Sequence, residues 1–198
     1  MFSLFPCKTT YLKDQDLAMM LPSKEFVYPA AASVSALIAA GFDLKSRRIP
    51  NFITGPAILA GLLLHTFYDG WHGTLSSLAA GLICGIIFLV FYLAGGMGAG
   101  DVKLITAVGC LVGLTNSASV LVITALAGGL MAIGFALMRG QLKATLFNVA
   151  ALATHHKQQG LTPHPDINVR NASTLRLPYG LAIAAGSCIT LYLQGMQR

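Results

Sequence analysis

Seven carboxylates stand in this 198-residue chain. Three of them, Asp43, Asp69 and Asp101, lie where long apolar runs begin or end. Burying a charged group there costs several kcal/mol or more unless it is partnered. An acid kept at such a place is therefore a candidate for chemistry. Asp14, Asp16, Glu25 and Asp166 lie in polar stretches and read as solvated. Asp43 sits in Gly41-Phe42-Asp43-Leu44-Lys45-Ser46-Arg47-Arg48-Ile49-Pro50-Asn51, and Asp101 in Gly95-Gly96-Met97-Gly98-Ala99-Gly100-Asp101-Val102-Lys103-Leu104. Two carboxylates held together in a partly desolvated place cannot both ionise easily, and they share one proton. The ionised member can take a proton from water, which attacks a peptide carbonyl, while the other protonates the carbonyl oxygen. The glycines before Asp101 permit positive φ and leave room for a substrate backbone.

The elements that must position these acids are membrane spans. Residues of the set AVILMFWYC make up 55% of the chain and charged residues only 10%, against about 25% charged in soluble domains. Mean hydropathy is +0.69. These values exclude a disordered chain, a disulfide scaffold and an ordinary soluble enzyme. Uncharged runs cover 26–42, 52–68, 74–94, 104–138 and 177–197. The 104–138 run would make about 52 Å of helix, against a hydrocarbon core of about 30 Å. The turn chemistry of Gly113-Leu114-Thr115-Asn116-Ser117 divides it into spans of 101–114 and 117–138. The expected fold is an all-α polytopic membrane protein with six transmembrane helices. A polar segment, 1–25, precedes a membrane domain, 26–198, that carries a polar loop at 139–176.

The net charge of +6 fits basic loops facing anionic headgroups, with no nucleic-acid partner. Six alternating spans place Lys45, Arg47, Arg48, Lys103, Arg139, Lys143, Lys157, Arg170 and Arg176 on one side. The 67–73 loop, with Tyr68 and Trp71 but no Lys or Arg, falls on the other side. The positive-inside rule then puts the basic loops in the cytoplasm and both termini outside. Asp43 and Asp101 share the cytoplasmic end. Tyr68-Asp69 with Gly98-Ala99-Gly100-Asp101 imitates the YD and GxGD motifs of presenilin-like proteases. One full span, about 30 Å of helix, separates those two aspartates, so that pairing is discarded.

Other features carry less. Cys7, Cys84, Cys110 and Cys188 form no CxxC pair and read as small apolar residues. His155, His156 and His164 read as solvated loop histidines, so neither a metal nor a cofactor is expected. The stretch 142–152 could form an amphipathic helix on the cytoplasmic face. Ala30-Ala31-Ala32-Ser33, Gly81 with Gly85, Gly128-Gly129 with Gly134, and 182–186 supply small residues for close helix approach.

The Asp43 string with Arg47-Arg48-Ile49-Pro50-Asn51, followed by Gly98-Ala99-Gly100-Asp101-Val102-Lys103-Leu104, resembles the type IV prepilin peptidase family. The similarity covers roughly 27–195 and includes Leu177-Pro178-Tyr179-Gly180, which is similar to that family's PFG or PYG element. The resemblance implies an aspartic endopeptidase of the bacterial inner membrane, with Asp43 and Asp101 as its catalytic pair. It implies a supporting motif of Gly98, Gly100, Lys103, Arg47, Arg48, Pro50 and Asn51. The implied partner is a prepilin precursor, cut after a glycine that ends a short basic leader on the cytoplasmic face. Longer members carry an N-terminal domain with paired CxxC motifs, associated with methylation of the new N-terminus. This sequence shows no CxxC and resembles the short members attached to Flp or tight-adherence pili. Arg47 and Arg48 are expected to meet lipid headgroups, and Lys103 to stabilise charge on Asp101 or contact a substrate carbonyl. The alternative is a transporter or assembly scaffold that uses the same aspartates as proton carriers or ion pairs.

Overall fold

The computed structural model describes residues 23–46, 49–140, 143, 147 and 178–196. They form four helices: α1 (Lys24–Ser46), α2 (Asn51–Leu93), α3 (Ala99–Met138) and α4 (Tyr179–Met196). Three of these, α1, α2 and α3, are long and apolar enough to cross a membrane. The chain is an all-α, multi-pass membrane protein.

The two longest helices fold back on themselves at single glycines. Gly70 has φ 62° and ψ −148° in the middle of α2, and Gly113 has φ 70° and ψ 179° in the middle of α3. A side chain disfavours such angles, and glycine has none. Residues 65 and 73 would lie about 12 Å apart on one straight helix. Here a Cβ on Gly73 would fall 2.3 Å from the His65 carbonyl oxygen, and the Thr66 and Thr74 hydroxyls are 2.7 Å apart. The expected seven-residue loop at 67–73 is thus narrowed to one reversal at Gly70. The expected turn over 113–117 is likewise narrowed to Gly113, and helix resumes at Leu114. Local hydrogen bonds from Thr74 to the Gly70 carbonyl and from Ser117 to the Leu114 carbonyl hold the resumed turns.

Facing residues fix the directions. Along α1 and the first half of α2, Tyr28 pairs with His65 and Phe42 with Phe52, so they run antiparallel. The second half of α2 and the first half of α3 do the same, with Gly81 on Cys110 and Gly85 on Thr106. So do the second half of α3 and α4, with Thr124 on Gly186 and Gly128 near Ala182. The first half of α3 is the axis of the assembly. Leu104, Ile105, Ala107, Val108, Leu111 and Val112 are all buried. Around it, α1 buries Ala32, Ala36, Ala39 and Ala40, while Val34, Leu37 and Ile38 face outward. Small residues inside and large apolar residues outside is the pattern of helices that pack closely in lipid.

Cys84 and Cys110 are buried, whereas Cys188 is only half-buried. Residues 1–22, including Cys7, lie outside the described residues. So do Arg47 and Arg48, the three histidines of the polar loop, and the 142–152 stretch apart from Lys143 and Phe147.

Candidate active site

Asp43 is in the last turn of α1 and Asp101 in the first turn of α3. Their local settings differ. The first turn of a helix favours a carboxylate, because free N–H groups and the macrodipole point at it. Asp101 uses that position: it is the third residue of α3, and its Oδ2 accepts from the Gly98 N–H at 3.2 Å. This is the returning half of a capping box. A helix C-terminus instead presents carbonyls and repels a carboxylate. Asp43 sits there, and a distant chain segment supplies a donor to it. The Gly180 N–H, in the first turn of α4, donates to Asp43 Oδ2 at 3.2 Å. Asp101 is 8% exposed and Asp43 half-buried. The two carboxylates are close enough to repel each other, and Asp101 also interacts with the Tyr179 hydroxyl.

The strings on either side meet as well. Pro50 caps the start of α2 in an extended conformation. Ile49 packs onto Gly100, where an added Cβ would lie 3.2 Å from the Ile49 Cβ. The space at Gly100 is therefore taken by Ile49. Of the glycines from 95 to 100, only Gly95 adopts positive φ. Lys103 Nζ donates to Asn51 Oδ1 at 2.9 Å. The lysine thus ties α3 to the start of α2. An exposed bond of this kind contributes about 0.5–1.5 kcal/mol. Lys103→Met and Asn51→Ala are each expected to lower the thermal midpoint slightly, and the double variant no further than the larger single. A double-mutant cycle read by thermal unfolding checks this.

Asp69 lies at the other end of the molecule. Lys24 and Asp43 lie 19 positions apart on α1, about 28 Å along its axis. Asp69 accepts from Lys24 and from the Tyr28 hydroxyl, the latter at 2.7 Å. Tyr28 stacks on His65 with ring centroids 3.9 Å apart. A cavity of about 680 Å³ opens there, lined by Tyr28, His65, Asp69, Asn116 and Gln194 among others, with neither Asp43 nor Asp101. The structure therefore brings Asp43 to Asp101 and keeps Asp69 away from both. Among the described residues no group of three or more His, Cys, Asp or Glu could hold a metal ion.

Sequence reasoning missed two things. The stack of His65 on Tyr28 gave no signal, because the two lie 37 positions apart in unrelated spans. Gly180 was marked only by the string around it, and nothing local showed that its amide meets Asp43.

No curated protein and no solved structure matches the chain. The model of the type IV leader peptidase family matches residues 30–133, just over half of the chain. That stretch holds both Asp43 and Asp101 and is shorter than the 27–195 similarity read from the motifs. With a multi-pass helical fold around those two acids, the chain belongs to the type IV leader peptidase family and is a membrane-embedded aspartic endopeptidase that removes leader peptides.

Proposed function

We propose that Asp43 and Asp101 are the catalytic pair, and that the substrate is a type IV prepilin of the Flp kind. The meeting of these two acids at one end of the helices, interacting through their charges, carries the reading. One ionised carboxylate removes a proton from water as the oxygen attacks the scissile carbonyl. The other gives its proton to the carbonyl oxygen, and the tetrahedral intermediate then collapses with proton transfer to the leaving amine. The net change is addition of one water across one peptide bond.

The reversals at Gly70 and Gly113 turn three long apolar helices into five crossings, and α4, with 18 residues or about 27 Å, supplies the sixth. Asp43 and Asp101 then lie at the cytoplasmic face of the bacterial inner membrane, with both chain ends outside. A prepilin places its hydrophobic helix beside these spans and its basic leader in the cytoplasm. Lipid covers the outward Leu, Ile and Val side chains, and headgroups take Arg47 and Arg48. The supporting motif of Gly98, Gly100, Lys103, Pro50 and Asn51 holds the two aspartates in register.

The test is purified protein in sealed liposomes with a Flp-type prepilin, followed by mass spectrometry. A product shortened by the leader, formed equally with and without a proton gradient, supports the peptidase reading. A transporter would release no leader, and its flux would collapse with the gradient.

A further inference from the structure

We infer that the first turn of α4 is a positioning element for the catalytic pair, with the Gly180 main-chain N–H holding Asp43 in its working orientation. The inference rests on the assignment of Asp43 and Asp101 as that pair.

Asp43 and Gly180 are 137 positions apart in sequence. The Gly180 N–H donates to Oδ2 of Asp43 at 3.2 Å. This amide is one of the first N–H groups of α4, which have no partner inside their own helix. Its direction is set by the helix and costs nothing to organise when substrate arrives. A helix C-terminus presents carbonyls rather than free N–H groups, and the start of α4 brings an N–H to the carboxylate there.

The fit is close. A Cβ at Gly180 would lie 3.0 Å from Asp43 Oδ2, 3.1 Å from its Cβ and 3.3 Å from its Cγ. The neighbouring residue, Tyr179, packs on the core and interacts with Asp101. One helical turn thus touches Asp43 and lies within electrostatic reach of Asp101. Further along, α4 is anchored independently of the site, where Gly186 packs against Thr124. The stretch that matches the family model ends at residue 133, so this contact comes from a part of the chain beyond it.

Two variants separate the amide from the space around it. Gly180→Ala adds the crowding methyl. Glycolate in place of Gly180, introduced by suppressor tRNA in cell-free synthesis, removes the N–H and adds no side chain. Both are expected to lower kcat for leader release about 10- to 100-fold, the range for a hydrogen bond to a charged group. KM should stay within about twofold, because the amide touches Asp43 and not the leader. Two glycines serve as controls. Gly129→Ala enters open space and is expected to change nothing. Gly186→Ala would put a Cβ 2.1 Å from Thr124 Oγ1, and is expected to lower the thermal midpoint while the folded fraction keeps wild-type kcat. Stability adds a readout free of activity: crowding by Gly180→Ala should cost less in an Asp43→Ala background than in wild type.

A glycolate variant that cuts at the wild-type rate overturns the inference. So does a Gly180→Ala variant that matches Gly186→Ala, losing only folded protein. Asp43→Asn in the same assay separates the two claims. If it cuts normally, the catalytic assignment itself fails. If it is dead while both position-180 variants are normal, only the role of α4 fails.

Discussion

Asp43→Asn and Asp101→Asn are each expected to lower leader release by about 10²–10⁴-fold, the usual contribution of a general acid or base. Asparagine keeps the shape and the acceptor oxygen, so the Gly180 and Gly98 amides still find a partner. It cannot carry the shared proton. Loss of rate with an unchanged melting temperature therefore isolates chemistry from folding. In the wild type the rate should follow a bell-shaped pH profile, falling when both carboxylates are protonated and again when both are ionised. Asp69→Asn should behave in the opposite way. Its carboxylate is held by Lys24 and Tyr28 at the far end. Removing that charge loosens an exposed ion pair, so it is expected to lower the melting temperature only slightly and to leave kcat within a few-fold. A dead Asp69→Asn beside an active Asp43→Asn would overturn the assignment of the pair. Side-by-side mass-shift assays and thermal melts of the four proteins read all of this.

Gly61→Val is expected to produce little folded protein. A first side-chain carbon at Gly61 would lie 2.7 Å from the Cys110 carbonyl carbon and oxygen and 2.9 Å from the Leu111 nitrogen. These are main-chain atoms of the central helix and have no rotamer to change. The helices must separate, and overpacking of this kind costs about 1–3 kcal/mol even where side chains can yield. Here the displaced element is the first half of α3, which carries Asp101 at its start. The same substitution at Gly129, which has no neighbour within 4 Å, should leave both yield and melting temperature near wild type. Equal melting temperatures for the two variants would mean that α2 and α3 do not pack as described.

This contrast shows where sequence reading stops. Gly81 with Gly85 and Gly128-Gly129 with Gly134 look alike as small-residue patterns. The first pair lies against Cys110 and Thr106, whereas Gly129 and Gly134 meet nothing. A small residue permits close approach, but it does not say which face has a neighbour. Lys103 adds a contact that its place in the chain did not announce: its side chain reaches Asn51, 52 positions away at the start of α2.

By itself, the sequence determined the membrane class, the all-α architecture and the family. Hydropathy, sparse charge and the two aspartate strings are local properties, and they do not depend on how helices pack. It also separated Asp69 from the pair, because span length alone keeps opposite ends about 30 Å apart. Tertiary structure decided the rest. It narrowed two expected loops to single reversals at Gly70 and Gly113, since a glycine at positive φ turns a helix without a loop. It made the first half of α3 the central axis, although its composition resembles that of its neighbours. And it brought the Gly180 amide to Asp43, a contact between residues whose spacing along the chain carries no period and whose meeting depends on every helix between them.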